Sequence, residues 1–133
     1  MDVALVAKAD TVDVTAALLS KADVTSLLAP NVPSVPVTID SADRVGWFTS
    51  IAIGVDGNPV ISYYDDTNVD LKVASCGDPT CTTATTRAID TTGRVGYSTS
   101  IAIGVNGNPV ISYTDMTNSD LKVFSPWWMA GGR

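Results

Sequence analysis

The sequence of 133 residues contains no histidine. Histidine is the usual general base, a frequent zinc ligand and a member of the Ser-His-Asp triad, so its absence removes those catalytic and metal sites. Hydrolysis by carboxylates alone is the enzymatic chemistry left open. We therefore expect no catalytic residue, no cofactor and no enzymatic activity.

Cationic residues and long apolar runs are also scarce. Eight Lys and Arg stand against 14 Asp and Glu, which gives a net charge of −6 at pH 7. A nucleic-acid-binding surface is basic, so we expect no nucleic-acid partner. No apolar run approaches the roughly 18–20 residues that cross a bilayer, so no membrane span is expected. The start at Met1-Asp2 lacks a basic segment, which predicts no signal peptide, and a secreted role would need another export route.

Only two cysteines are present, Cys76 and Cys81, in the segment CGDPTC. A metal site would need more ligands than these two. A small disulfide across a turn is the interpretation we favour, and it is typical of an extracellular setting. Two free thiols in a loop are the alternative. The second copy of the repeat described next has Ser125 and Pro126 at this place, so the disulfide is not essential to the repeated unit.

Two segments of the chain are copies of one unit, offset by 50 residues. Residues 44–76 read RVGWFTSIAIGVDGNPVISYYDDTNVDLKVASC, and residues 94–126 read RVGYSTSIAIGVNGNPVISYTDMTNSDLKVFSP. Eight of the 33 paired positions differ, which leaves 25 identical. An internal repeat of this length indicates a duplicated structural unit.

Each copy has the pattern of short strands separated by turns. In the first copy, alternation and β-branched residues predict strand A at residues 50–55, strand B at 60–64, strand C at 71–75 and strand D at about 85–90. Asp-Gly-Asn-Pro and Asp-Asp-Thr-Asn segments mark the turns between them. Four antiparallel strands in about 50 residues are typical of a β-propeller blade. A stacked β-sandwich or a β-prism is the alternative all-β architecture.

The order of these strands predicts assembly. Residues 35–40, with Val35, Val37 and Ile39, resemble a strand D that precedes the first copy, whereas the second copy has strands A, B and C without a D. Unpaired sheet edges invite pairing, and a head-to-tail contact closes into a ring if the rotation fits. We expect the 35–40 strand of one chain to complete the last blade of a neighbour. Dimers, trimers and tetramers are all compatible, and we predict a homotrimer with six blades.

Three regions follow from this interpretation: a helical and extended anchoring arm (1–34), the two-blade unit (35–126) and a C-terminal tail (127–133). Asp residues before short apolar turns predict brief helices in the arm, with Leu18 and Leu28 on faces that need a partner. That partner is either the same arm of neighbouring chains or another protein. Trp127 and Trp128 are expected to pack under the ring or against the arm.

The arm and the C-terminal tail are expected to emerge on one face of the ring, and the candidate ligand site is on the opposite face. An aromatic ring beside an arginine and carboxylates is a common way to hold a sugar. The same residues also suit purely structural roles, in which Arg44 pairs with Asp70 or a neighbouring carboxylate and Trp47 fills the gap between blades. The Asp- and Asn-rich loops are also compatible with calcium, although these residues are ordinary in turns. The ligand-binding candidates are Arg44, Trp47, Asp65, Asn68 and Asp70, with Arg94, Tyr97, Asp115, Asn118 and Asp120 in the second copy.

The signatures SIAI, GNPVISY and DLKV, with the Cys-x4-Cys loop, resemble bacterial β-propeller-type repeats of long extracellular chains. The resemblance covers residues 35–126 and implies a fold but no catalytic residue; those chains hold many units, whereas this sequence holds two. The arm segment AALLSKAD is similar to stalk segments of bacteriophage fibre proteins. Together these resemblances imply a trimeric phage fibre or capsid decoration protein on the virion surface, anchored through the arm to a virion protein and directed at host glycans. A free, extracellular, oligomeric bacterial lectin is the alternative.

Overall fold

The computed structural model of the chain describes residues 35–126, and the compact unit that holds all the described strands begins at Val37. The described residues form two antiparallel sheets without a helix, so the all-β class predicted from the sequence is confirmed. Sheet 1 has the order β1-β2-β3-β4 and sheet 2 the order β5-β6-β7. The strands are β1 (Val45–Ile53), β2 (Pro59–Asp65), β3 (Asp70–Cys76), β4 (Ala84–Asp90), β5 (Val95–Ile103), β6 (Pro109–Asp115) and β7 (Asp120–Phe124).

The turn between β1 and β2 shows why each copy folds into hairpins. The Gly54 N–H donates to the Asn58 carbonyl at 2.8 Å, and the Asp56 carboxylate accepts the Asn58 N–H at 3.0 Å. Gly57 has a φ of 83°, a conformation that glycine adopts at little cost. The turn between β5 and β6 has the same two bonds 50 residues later, with the Asn106 amide oxygen as acceptor in place of the Asp56 carboxylate.

The first strand of each sheet starts five residues before the position predicted from the sequence. Register shifts on both sides of Trp47 mark β-bulges in β1, and Phe48 has a φ of 52°. The same shifts flank Tyr97 in β5, where Ser98 has a φ of 51°. A bulge adds an unpaired residue and re-aims the neighbouring side chains. The alternation of apolar residues is broken here, and the prediction that strand A begins at Ser50 is therefore wrong.

One face of sheet 1 packs against one face of sheet 2, and the core lies between them. Leu71 and Val73 of β3 are buried together with Val95 and Ile111 of sheet 2. Each such side chain contributes about 1.5–3 kcal/mol when it is fully buried. The backbones also approach closely, because a Cβ added at Gly96 would lie 2.8 Å from the Leu71 Cα. A glycine is therefore required at the start of β5.

The two ends of the described chain bear on the assembly predicted from the sequence. Residues 35–40, predicted to form a strand by pairing with a neighbouring chain, form no strand within this chain. At the other end, β7 pairs with β6 on one side and has no described partner on its other side.

Candidate functional site

Sheet 2 has an exposed face whose repeat equivalent in sheet 1 is buried. Leu121 is 79% exposed, whereas Leu71, 50 residues earlier, is 0% exposed. Val123 is 61% exposed, whereas Val73 is 3% exposed. We call this surface, which also includes Ser112 and Thr114, the open face of sheet 2. Its apolar side chains have the same identities as those that form the core of the described chain.

Sheet 1 also has an exposed apolar face, on the side that does not pack against sheet 2, and the equivalent face of sheet 2 is buried. Ile51 is 60% exposed, whereas its equivalent Ile101 is 9% exposed and packs in the core. This surface, the open face of sheet 1, contains a cavity of about 350 Å³. Its lining includes Ile39, Val45, Gly46, Thr49, Ile51 and Ile61. The equivalents of the apolar members, 50 residues later, pack around Leu71 and Val73.

The contacts between the two sheets inside the chain are polar as well as apolar. The Ser62 and Thr99 hydroxyls share a hydrogen bond of 2.8 Å, and the Thr99 hydroxyl also lies 2.8 Å from the Phe48 carbonyl, to which it donates. The Val95 N–H donates to the Val69 carbonyl at 3.0 Å. The residues that correspond to Ser62 and Thr99, namely Ser112 and Thr49, lie on the two open faces.

Two aspartates hold the segment that precedes each sheet against that sheet. The Tyr63 hydroxyl donates to Asp40 Oδ2 at 2.6 Å, and Lys72 Nζ lies 2.7 Å from the same oxygen. Burial favours a higher pKa for Asp40, but the hydrogen bonds from Lys72 and Tyr63 outweigh it and hold the pKa below its ordinary value. Burial and the bond to Asp40 raise the pKa of Tyr63. Asp40 thus attaches the end of the segment before β1 to sheet 1.

Asp90, 50 residues after Asp40, makes the same contacts with sheet 2. It accepts the Tyr113 hydroxyl at 2.7 Å and pairs with Lys122. Asp90 is the last residue of β4, which belongs to sheet 1. The end of one sheet's outermost strand therefore contacts the next sheet along the chain.

Among the ligand-binding candidates of the first copy, Arg44 and Trp47 lie together. The Arg44 guanidinium is 6.0 Å from the centroid of the Trp47 ring, which is half-exposed. Arg44 Nη2 pairs with Asp66 Oδ2 at 3.0 Å, so its partner is a carboxylate neighbouring Asp70 and not Asp70 itself. The sequence does not single out Asp66, because Asp65 is next to it and Asp70 follows four residues later.

In the corresponding pair of the second copy, Arg94 and Tyr97, the Tyr97 ring packs against two aromatic rings of sheet 1. The Tyr97 ring lies 4.3 Å from the Tyr64 ring and 4.9 Å from the Phe48 ring, centroid to centroid. Arg94 Nη2 donates to the Tyr97 hydroxyl at 2.7 Å. Tyr64 is 1% exposed, and its hydroxyl lies near Tyr97 and Arg94 without a hydrogen bond of ordinary geometry. Burial raises the pKa of Tyr64.

The remaining acidic candidates serve the turns at this end of the sheets. Asp65 Oδ2 accepts the Asn68 side-chain amide at 2.9 Å, and Oδ1 accepts the Thr67 and Asn68 N–H groups, both at 3.0 Å. Burial favours a higher pKa for Asp65, but these bonds, the Asn68 amide first, outweigh it and hold the pKa below its ordinary value. Asp115 makes the same bonds to Thr117 and Asn118. Burial raises the pKa of Asp70, with Asp65 and Asp90 nearby.

The equivalent of Asp70 in the second copy, Asp120, lies opposite Asp115 at the start of β7. No group of three or more His, Cys, Asp or Glu residues arranged to hold a metal occurs in residues 35–126.

The other predicted site residues are placed as follows. Cys76 and Cys81 form a disulfide that closes the loop between β3 and β4. Val35 and Val37 are exposed. Leu18, Leu28, Trp127 and Trp128, with the predicted helices of the arm, lie outside the described residues.

No family model, curated protein or solved structure matches this chain. The part of the chain that the structure describes also contains no helix long and apolar enough to cross a membrane.

Proposed function

We propose that copies of this chain assemble head to tail into a closed β-propeller that acts as a structural and binding module, without enzymatic activity. In this assembly the open face of sheet 2 of one copy packs on the open face of sheet 1 of the next. The observation that carries the proposal is the contrast between Leu121 and Leu71, which are 79% and 0% exposed at equivalent positions of one repeat. An apolar face of this kind marks an interaction surface.

The occupant is a second copy because the contact already exists once inside the chain. Sheet 1 and sheet 2 are copies of one unit, and sheet 2 packs on sheet 1 through Leu71, Val73 and Gly96. Leu121 and Val123 are the repeat equivalents of Leu71 and Val73. Gly46, which lines the cavity on sheet 1, is the equivalent of Gly96. Each copy therefore has both halves of a further interface on opposite sides.

The free edge of β7 supports strand exchange between copies. The Gly104 N–H donates to the Asn108 carbonyl where β5 turns into β6. In antiparallel strands, residues whose N–H and C=O face one neighbour alternate with residues whose groups face the other. Followed along β6 and across to β7, this alternation turns the N–H and C=O of Val123 away from β6. In the proposed assembly, residues 35–40 of a neighbour pair there as β4 pairs with β3. The register of sheet 1 then sets Val37 opposite Val123.

A proline in this strand is compatible with the register. The pair formed by Ala74 and Thr86 is a non-hydrogen-bonded pair by the same alternation, so the Thr86 N–H points away from β3. Pro36 is the equivalent of Thr86, and proline is tolerated in an edge strand where its missing N–H would face solvent. Three copies give six blades, within the range of about four to eight known for propellers.

For the biological role, we propose display on a virion, as a phage fibre or capsid decoration protein that attaches to a host surface. The support is the similarity of the arm to fibre stalk segments, together with the need for a symmetric assembly. Mass spectrometry of purified virus particles tests this role. Finding the protein only as a free extracellular oligomer would favour the lectin alternative.

A pair of engineered cysteines tests the assembly. The Ser62 and Thr99 hydroxyl oxygens are 2.8 Å apart, which is close enough for cysteines at these positions to form a disulfide. The double variant Thr49→Cys, Ser112→Cys should then form disulfides between copies. On a non-reducing denaturing gel we expect bands that end at three chains.

The matched control is Ser62→Cys, Thr99→Cys, which should oxidise within one chain and run at the mass of one chain. The proposal is wrong if the Thr49, Ser112 variant also stays at one chain under conditions that oxidise the control. A ladder that continues past three chains would contradict closure at six blades.

A further inference from the structure

The differences between the two copies of the repeat are concentrated at one end of the sheets. Of the eight positions that differ, four lie where the first strand of each sheet begins and the second ends. Trp47 is the cross-strand partner of Tyr64, and Tyr97 is that of Thr114. The four pairs are Trp47 and Tyr97, Phe48 and Ser98, Tyr64 and Thr114, and Asp66 and Met116.

We call the place where sheet 1 meets the next sheet 2 at this end the junction. Inside the chain, aromatic side chains fill it. Sheet 1 contributes Phe48 and Tyr64, and sheet 2 contributes Tyr97, whose ring lies within 4.9 Å of both rings, centroid to centroid. Tyr64 is 1% exposed. Phe48 and Tyr64 therefore occupy the place beside the Tyr97 ring that a ligand ring would need at this junction.

Between copies, two positions that hold aromatic rings at the junction inside the chain carry much smaller side chains. In the ring proposed above, the position of Tyr97 is taken by Trp47, and the positions of Phe48 and Tyr64 are taken by Ser98 and Thr114 of the neighbour. A hydroxymethyl group and a threonine side chain thus replace two aromatic rings. The junction between copies then has a slot beside the Trp47 ring, and neither copy forms this slot alone.

The groups beside the slot indicate the chemistry of its occupant. The Trp47 ring offers an apolar face, on which the C–H face of a flat ring can pack. The Arg44–Asp66 pair supplies donors and acceptors together, and this arrangement suits hydroxyl groups. The guanidinium charge is already paired with a carboxylate at 3.0 Å, so the site offers no free positive charge to an anion.

We infer that each junction between copies binds one neutral saccharide ring, stacked on Trp47 and hydrogen-bonded through Arg44 and Asp66. The inference rests on the proposed ring and deepens it by naming the ligand and the side chains that hold it. It also assigns the binding role to the first copy of the repeat, because the equivalent place beside Tyr97 is filled. A trimer would hold three such sites.

The test fills the slot without changing the stacking residue. Ser98→Phe with Thr114→Tyr recreates the side chains that close the junction inside the chain. Phe is compatible with the backbone there, because Phe48 has a φ of 52° and Ser98 a φ of 51°. The matched control is Thr85→Phe, which adds an aromatic ring at an exposed position on β4.

The full-length protein is measured on a glycan array that carries neutral and sialylated glycans, with its mass determined in the same buffer. We expect the wild type to bind neutral glycans. The double variant Ser98→Phe, Thr114→Tyr should lose at least tenfold of that binding at unchanged oligomeric mass. The control Thr85→Phe should bind as the wild type does. Trp47→Ala should lose binding as well.

A blank array from an intact oligomer, signal confined to sialylated glycans, or equal binding by the filled variant would overturn the inference while leaving the ring in place. A wild-type mass of one chain would overturn the ring and the composite site together.

Discussion

Replacing Leu121 by alanine should weaken assembly and leave the fold of the single chain largely intact. Leu121 is 79% exposed in the chain, so its side chain has little to lose there. In the proposed ring it becomes buried like Leu71, which is 0% exposed. Leu71→Ala is therefore the matched control, since the same change at the equivalent position removes a core side chain.

The size of the effect follows from the cost of removing a buried leucine. At the low end of the range for Leu→Ala, each junction loses about 2.5 kcal/mol. Three junctions in a trimer lose about 7.5 kcal/mol, or about 2 × 10⁵-fold in the equilibrium constant for forming the trimer. The concentration at which half the chains are assembled varies with the inverse square root of that constant, so it should rise about 500-fold.

Sedimentation equilibrium over a dilution series measures that concentration, and circular dichroism on chemical denaturation measures the stability of the chain. Leu71→Ala should lower the free energy of unfolding by about 2–5 kcal/mol. If Leu121→Ala assembles at the same concentration as the wild type, Leu121 stays in solvent in the assembly and the reasoning from the repeat is refuted.

Three further outcomes are expected. Gly96→Ala should destabilise the chain by about 3 kcal/mol in denaturant titrations, because Gly96 has a φ of 97° and an added Cβ would lie 2.8 Å from the Leu71 backbone. An unchanged midpoint would contradict the close packing of β5. The pKa values of Asp40 and Asp90 are lowered in the folded state, so their contribution to stability is complete above the unfolded pKa of about 3.9 and is lost as the pH falls through the lower folded values. Melting temperatures should therefore fall with acidification below about pH 4, and Asp90→Asn should reduce this dependence. Replacing Cys76 and Cys81 by serine should cost about 1–3 kcal/mol without loss of assembly, because the disulfide closes only a short loop.

The sequence predicts the strands well where the apolar pattern and the turn residues agree. The predicted strands B, C and D lie within one residue of β2, β3 and β4 at each end, because Gly57 and the polar residues after Asp65 end the apolar runs on either side. The sequence predicts the start of β1 poorly, since the bulge at Phe48 breaks the alternation on which the prediction depends.

The candidate site shows a different limit. The partner of Arg44 is not predictable from the sequence, because Asp65, Asp66 and Asp70 lie close to one another in the chain and the register of β1 on β2 alone decides among them. The four clustered differences between the copies are visible in the sequence. Their position at one end of the sheets becomes evident only when Trp47 is seen opposite Tyr64.

Assembly is tested most directly by the native mass of the wild-type protein. Native mass spectrometry, with sedimentation at the same concentration, should give three times the chain mass of 13.8 kDa for a sample whose circular dichroism shows native β-structure. A mass of one chain in that same folded sample would contradict the proposal that the open faces of sheets 1 and 2 cover one another.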